Sequence, residues 1–238
     1  MAKYITKYIL SGGYEGSAAD GGKAFCEEIV KGLRERVKIF ICLYGVPRRD
    51  WDEAFKRREN FFKQHLGERV ECYYELEHEQ GAIETDEADV VFIEDGDWNL
   101  LHYWFNHYSE VISLFYEKVV VGSGIAANYL SVCTYDPDWR FSAGSTGIVQ
   151  ARVLAHYQSS TYLPDDSHGP IDWTAALAEV KAQGLGQPLY NLHDGEFVVV
   201  EQDDTAWVER YLASTRQSIK DDPQWQVQAH AEAMKRAS

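Results

Sequence analysis

The stretch KVVVGSGIAAN, Lys118–Asn128, decides how this chain is read. A run of apolar, β-branched residues enters a glycine, and a row of small residues leaves it at once. That is the pattern of a buried strand turning sharply into a helix. Such an elbow can hold a nucleophile in a strained conformation. It needs small residues two places before and two places after its centre, because the backbone passes close on both sides. With Gly124 as the centre, those neighbours are Gly122 and Ala126, both small. With Ser123 as the centre, they are Val121 and Ile125, both β-branched. The steric rule therefore centres the elbow on Gly124, which has no side chain, and leaves Ser123 one step early.

Outward from the elbow, strands and helices alternate. Tyr4–Ser11 reads as a strand ending in Gly12-Gly13, followed by a helix capped by Asp20 with Phe25, Ile29 and Leu33 on its apolar face. Val37–Tyr44 is a near-continuous apolar run, as expected of a strand buried on both faces. Asp50–His65 reads as a helix, Arg69–Leu76 and Asp89–Ile93 as strands, and Asp97–Leu114 as an aromatic-rich helix. After the elbow, Ala151–His156 reads as a strand and Asp172–Gln183 as a helix. Leu189–Leu192 and Glu196–Glu201 flank His193-Asp194-Gly195, which predicts a two-strand hairpin. Thr205–Ile219 reads as a last helix. No repeat and no Pro-, Gly- or Ser-rich linker divides the chain. The expected fold is a doubly wound, mostly parallel α/β sheet flanked by helices, with a C-terminal hairpin. It forms one domain over residues 1–220, with a polar tail from 221 to 238 and chemistry at the carboxyl ends of the strands.

Composition narrows the function. The chain has 238 residues and a net charge of −15, a sign that repels phosphate backbones and argues against nucleic-acid binding. The acidity concentrates between Glu75 and Asp89, read as a solvated face. No stretch reaches the roughly 20 apolar residues of a membrane span, and MAKYITKYILSGG does not read as a secretory signal. A cytoplasmic protein without membrane partners is the expectation. Cys26, Cys42, Cys72 and Cys133 lie far apart with no CxxC pair, so no zinc or redox site is expected. Gly13–Ala24 is glycine-rich, but five residues, not four, separate Gly16 from Gly22 and Ala24 follows Lys23, so the phosphate-loop pattern fails. Asp165, Asp166 and His168 read as a polar loop and His102 and His107 as packing or surface residues, so no metal and no cofactor are expected.

Four segments in order resemble the dipeptidase E and cyanophycinase family of serine peptidases. KYILSGG, Lys7–Gly13, resembles its first strand and glycine loop. VVFIEDGDWNLL, Val90–Leu101, resembles its strand, glycine turn and helix, with Asp95 where a glycine is usual. GSGIA, Gly122–Ala126, resembles its Gly-x-Ser-Ala-Gly elbow, with Gly124 in place of the serine. TGIVQARVLAHYQSS, Thr146–Ser160, resembles the segment that ends in the catalytic histidine, with Ala155 in place of a proline before His156-Tyr157. Besides these four, PLYNLHDGEFVVV, Pro188–Val200, resembles the family's closing hairpin.

The resemblance implies a glutamine-amidotransferase-like sheet, His156 as base, and the N–H groups of Gly96 and Ile125 as oxyanion donors. It places the acid that orients His156 at Asp136 or Asp138 and implies a homodimer. Two functional readings follow. In one, the standard nucleophile is missing, and the protein is inactive or binds a small acidic or peptide ligand. In the other, Ser123 works with His156 as an active serine-type peptidase or acyl hydrolase.

Overall fold

The computed structural model describes residues 4–74, 87–107, 115, 117–138, 140–162, 169–183 and 186–210. The acidic run up to residue 86, the loop with Asp165, Asp166 and His168, and the C-terminal tail lie outside these. Two compact units are distinguished, Thr6–Gln202 and the termini Met1–Ile5 with Asp203–Ser238. In the second, Tyr4 N–H donates to Thr205 Oγ1 at 3.0 Å and Asp204 N–H to Tyr4 O at 2.9 Å.

The main sheet has six strands: β1 Ile5–Ser11, β2 Val37–Cys42, β3 Val70–Tyr73, β4 Val90–Ile93, β5 Val119–Ser123 and β10 Phe197–Asp203. Their spatial order is β10-β1-β5-β4-β2-β3. The β1–β5, β5–β4, β4–β2 and β2–β3 pairs are all parallel. Every residue of VVFI in β4 and VVVGS in β5 is buried, as a central parallel strand requires. The helices that flank the sheets, among the described residues, include α1 Lys23–Ile29, α2 Trp51–Leu66, α3 Trp98–His107, α4 Ile125–Leu130 and α5 Trp173–Ala182. The Asp20 carboxylate accepts from Gly22 N–H at 3.0 Å and Ala24 N–H at 2.7 Å, which starts α1. Phe25 of α1 and Phe62 of α2 both meet Phe92 of β4 edge-on, and Trp98 and Phe105 of α3 pack on Tyr129 of α4.

A second sheet has the order β7-β6-β8-β9, with β6 Cys133–Asp136, β7 Phe141–Gly144, β8 Arg152–Leu154 and β9 Leu189–Asn191. Sequence reading missed β6 and β7, which are four residues each and carry Thr, Asp, Ser and Gly. It also expected a C-terminal hairpin, which does not form. Leu189–Asn191 runs parallel to β8, with Val153 opposite Tyr190, while Phe197–Asp203 edges the other sheet beside β1. His193-Asp194-Gly195 is still a turn, closed by Glu196 N–H on His193 O at 3.0 Å. It carries the chain from one sheet to the other instead of folding it back.

The parallel register brings several strand ends together. Ser11 lies opposite Ser123, and Leu10 and Ile93 both lie opposite Gly122. The segments that leave β1, β4 and β5 therefore emerge side by side. Leu154 lies opposite Asn191, so the segments leaving β8 and β9 also emerge together.

Candidate active site

A sharp turn at Gly124 joins β5 to α4. Gly124 has φ 54° and ψ −120°, between the end of β5 and the start of α4. A Cβ on Gly122 would lie 2.9 Å from Ala127 N, so the helix packs directly over the strand end. Gly124 N–H donates to Ser11 O at 3.1 Å, which ties the elbow to β1.

His156 follows β8 and is fully buried. Its φ of 54° is left-handed, a conformation that costs a non-glycine residue roughly 1–3 kcal/mol. Surrounding contacts hold it there. His156 N–H donates to Gly12 O at 2.9 Å, Tyr157 N–H to Leu192 O at 3.0 Å, and Ala155 N–H to Asn128 Oδ1 at 2.8 Å. Tyr162 stacks on the imidazole at 4.3 Å, and a Cβ on Gly13 would lie 2.2 Å from its Cε1. The glycine loop after β1 is thus the floor against which the ring lies. Nδ1 is 3.1 Å from Asp194 Oδ1, and Asp194 Oδ2 accepts from Ser159 Oγ at 2.5 Å. Nε2 is 2.9 Å from Asp95 Oδ2.

Asp95 leaves the end of β4 and fills the elbow. A Cβ on Gly124 would lie 2.3 Å from both Asp95 Cγ and Oδ1. The carboxylate therefore occupies the space into which a side chain at the elbow centre would project. Its Oδ1 accepts from Ile125 N–H at 2.8 Å, while its Oδ2 meets the histidine. One carboxylate thus sits against the glycine turn, the Ile125 N–H and the His156 ring together.

Two solved structures share this architecture. A crystallised peptidase from an acI-B1 Actinobacterium matches with a TM-score of 0.53 and 15% identity, over 86% of this chain and 87% of its own. A candidate peptidase E from Listeria monocytogenes EGD-e matches with a TM-score of 0.50 and 12% identity, over 84% and 98%. The fold is peptidase-like. No protein-family profile matches the chain, and no curated protein matches it.

The remaining expectations take their places around this site. Ser123 is fully buried and donates to Glu15 Oε1 at 2.5 Å, beneath the elbow. Both ring nitrogens of His156 are engaged by aspartates, so the structure does not pair Ser123 with His156. Glu15 also accepts from Ser11 Oγ at 2.8 Å and from Arg58 Nη1 at 2.9 Å. Arg58 makes two further bonds, at 2.7 and 2.8 Å, to Glu94, the residue before Asp95. Ser123 thus belongs to a buried polar layer that ties β1, α2, β4 and β5 together. Burial works against ionised Glu15, but the Arg58 charge and the Ser123 hydroxyl outweigh it and hold the carboxyl below its ordinary range.

Asp136 and Asp138 are not the partners of His156, because Nδ1 faces Asp194. Asp138 lies one layer out, accepting from Tyr162 Oη at 3.4 Å. Asp194 was read only as a turn residue. The signal in the sequence was an acid placed after a strand end and downstream of the histidine, but nothing there ranked it above Asp136. Cys133 is buried on β6, and burial pushes its thiol up. A Cβ on Gly96 would lie 2.1 Å from Gly45 O, so its backbone packs tightly at the mouth of the site.

The charge on His156 follows from its neighbours. Burial is the largest single influence and lowers its pKa. Hydrogen bonds and charge from Asp194 and Asp95 together exceed it and raise the value to about 9. The ring is an imidazolium at neutral pH. Tyr14 and Tyr162, the other titratable groups facing it, are pushed above the ordinary phenol value and stay neutral there. A raised folded pKa gives stabilisation that is complete below the unfolded value of about 6.5 and is lost as pH rises past the folded one. Urea unfolding should therefore show stability falling by on the order of 3 kcal/mol between pH 6.5 and 10. That part of the slope should vanish in His156→Gln.

A cavity of about 390 Å³ opens beside Asp95. Among the described residues, Asp50, Glu53, Asp95 and Asp97 line it with Arg57 as the one cation, and Gly45 and Gly96 form part of its wall. Among the described residues no group of three His, Cys, Asp or Glu side chains is placed to hold a metal ion. Among the same residues, no helix is long and apolar enough to cross a membrane.

Proposed function

We propose that this peptidase-like protein does not carry out serine-type peptide hydrolysis and instead binds a small peptide or another amine-bearing ligand at the Asp95 cavity. The observation that carries the reading is the Asp95 carboxylate in the elbow. A hydroxyl nucleophile needs a neutral base and an empty oxyanion site. Here the base is an imidazolium, and the Ile125 N–H already holds an anion. Ser123 Oγ is committed to Glu15, away from both. Four carboxylates against one guanidinium favour a ligand that presents an amine over an acidic one.

Fluorophosphonate labelling and a dipeptide panel test the first half. No label and no turnover of aspartyl dipeptides are expected, and turnover lost on Ser123→Ala would sink the reading. Titration calorimetry tests the second. A lysyl dipeptide should bind more tightly than an aspartyl one. The exposed pair Asp50→Asn with Glu53→Gln should weaken it on the order of five-fold. Preference for the aspartyl peptide would count against the assignment.

A further inference from the structure

We propose that Asp95 is itself a nucleophile, whose carboxylate opens a small cationic epoxide through a covalent aspartyl ester that water then cleaves to a diol. The inference rests on the ligand-binding reading above and adds chemistry to it.

Three observations converge. The carboxylate stands where the elbow would present an attacking group, within 2.3 Å of a Cβ built on Gly124. Of Asp95, His156 and Asp194, Asp95 is the one among the lining residues of the 390 Å³ cavity, so a ligand there meets it directly. Its two oxygens face different partners, Oδ1 the Ile125 N–H and Oδ2 the proton-bearing Nε2 of a histidine backed by Asp194.

These partners divide the reaction. An Oδ2 lone pair forms a bond to a ring carbon of the epoxide. The carbon–oxygen ring bond breaks, and its electron pair stays on oxygen, which takes the proton from His156 Nε2. The histidine is now neutral and accepts a proton from water as the water oxygen bonds to Asp95 Cγ. Negative charge then develops on Oδ1, where Ile125 N–H already donates. Collapse breaks the bond between Cγ and Oδ2, and the alkoxide that leaves with Oδ2 takes the remaining proton of the attacking water. The sum is epoxide plus water to diol, with carboxylate and imidazolium restored.

The arrangement selects this substrate class over its neighbours. A halide leaving group needs no proton, whereas a ring oxygen does, and His156 carries one. A sugar ester is usually cleaved at its own carbon, whereas the donor on Oδ1 favours attack of water at Cγ. The carboxylate-rich cavity favours a cationic substrate.

The test is a single turnover in H₂¹⁸O, with excess wild-type protein and glycidyltrimethylammonium. Diol should form with ¹⁸O appearing in the Asp95 carboxylate by peptide mass mapping. Glycidate, the anionic counterpart, should react at least about ten-fold more slowly, as expected for a like-charged cavity. Asp95→Asn should lose diol formation at least about a hundred-fold, the scale of a lost catalytic group. No diol above the buffer rate, or diol whose ¹⁸O never enters Asp95, overturns the proposal without relying on the variant. Calorimetry with the lysyl dipeptide on the same wild-type preparation separates the two failures. Retained binding without labelled Asp95 removes this inference alone, whereas absent binding removes the ligand reading beneath it.

Discussion

Asp95→Gly combined with Gly124→Ser should give a protein that fluorophosphonates label at residue 124, while Gly124→Ser alone should not. The single variant places a Cβ 2.3 Å from the Asp95 carboxylate carbon, so serine can enter only if the carboxylate leaves. Leaving breaks its bonds to Ile125 N–H and His156, and the elbow is overpacked meanwhile. The single variant should lose roughly 2–4 kcal/mol of stability and gain no reactivity. Adding Asp95→Gly removes the obstruction and frees the Ile125 N–H. It also takes away one of the two carboxylates that raise His156 to about 9, so the ring moves back toward a competent base. Labelling at pH 8 should rise at least about a hundred-fold over wild type, the lower end of what a positioned base contributes. Equal labelling of the single and double variants would show that Asp95 does not block the elbow. A well-folded double variant that never labels would show that the site lacks more than its nucleophile.

Arg58→Met should be the most damaging substitution beneath the site. Arg58 is almost buried and pairs with Glu15 and Glu94, whose side chains are 2% and 4% exposed. Removing it leaves two carboxylates in the interior with no cation. The expected loss is about 3–5 kcal/mol, the usual cost of breaking a buried pair on one side. For a chain of this size that is on the order of a 10 °C fall in melting temperature. Replacing all three as Arg58→Met, Glu15→Gln and Glu94→Gln should recover much of it, because no uncompensated charge remains. The gap between wild type and Arg58→Met should narrow as pH falls, since the orphaned carboxyls can then take up protons. Denaturant melts at pH 5 and pH 8 read both effects. A pH-independent gap would show that the network acts through packing instead of charge.

The strands of the main sheet were legible because burial on both faces leaves an unmistakable mark. VKIFIC, VVFI and VVVGS carry hardly a polar side chain between them, and the first two are strands within two residues of their expected ends. The second sheet was less legible, because β6 and β7 are short and mix apolar with polar residues. Its connection to the first sheet misled for a different reason. Asp-Gly signals a tight turn, and the turn is there, but a turn does not dictate which sheet the next strand joins.

The site divides along the same line. Elbow geometry is local: the small residues at 122 and 126 fix its centre through contacts a few residues away, so the sequence alone places Gly124. His156 was reached through the order of motifs. Its partners were not, because Asp95 and Asp194 lie 61 and 38 residues from it in the chain and meet it only through folded strand ends. In the sequence, an aspartate in place of a glycine at 95 and a glycine in place of a serine at 124 are two unrelated departures from one pattern. Parallel pairing of β4 with β5 sets them against each other, and they become one exchange. The side chain missing from the elbow leaves the volume that the carboxylate from the next strand fills. Local sterics placed the glycine turn at residue 124, and only the packing of neighbouring strands decided which side chain lies against it.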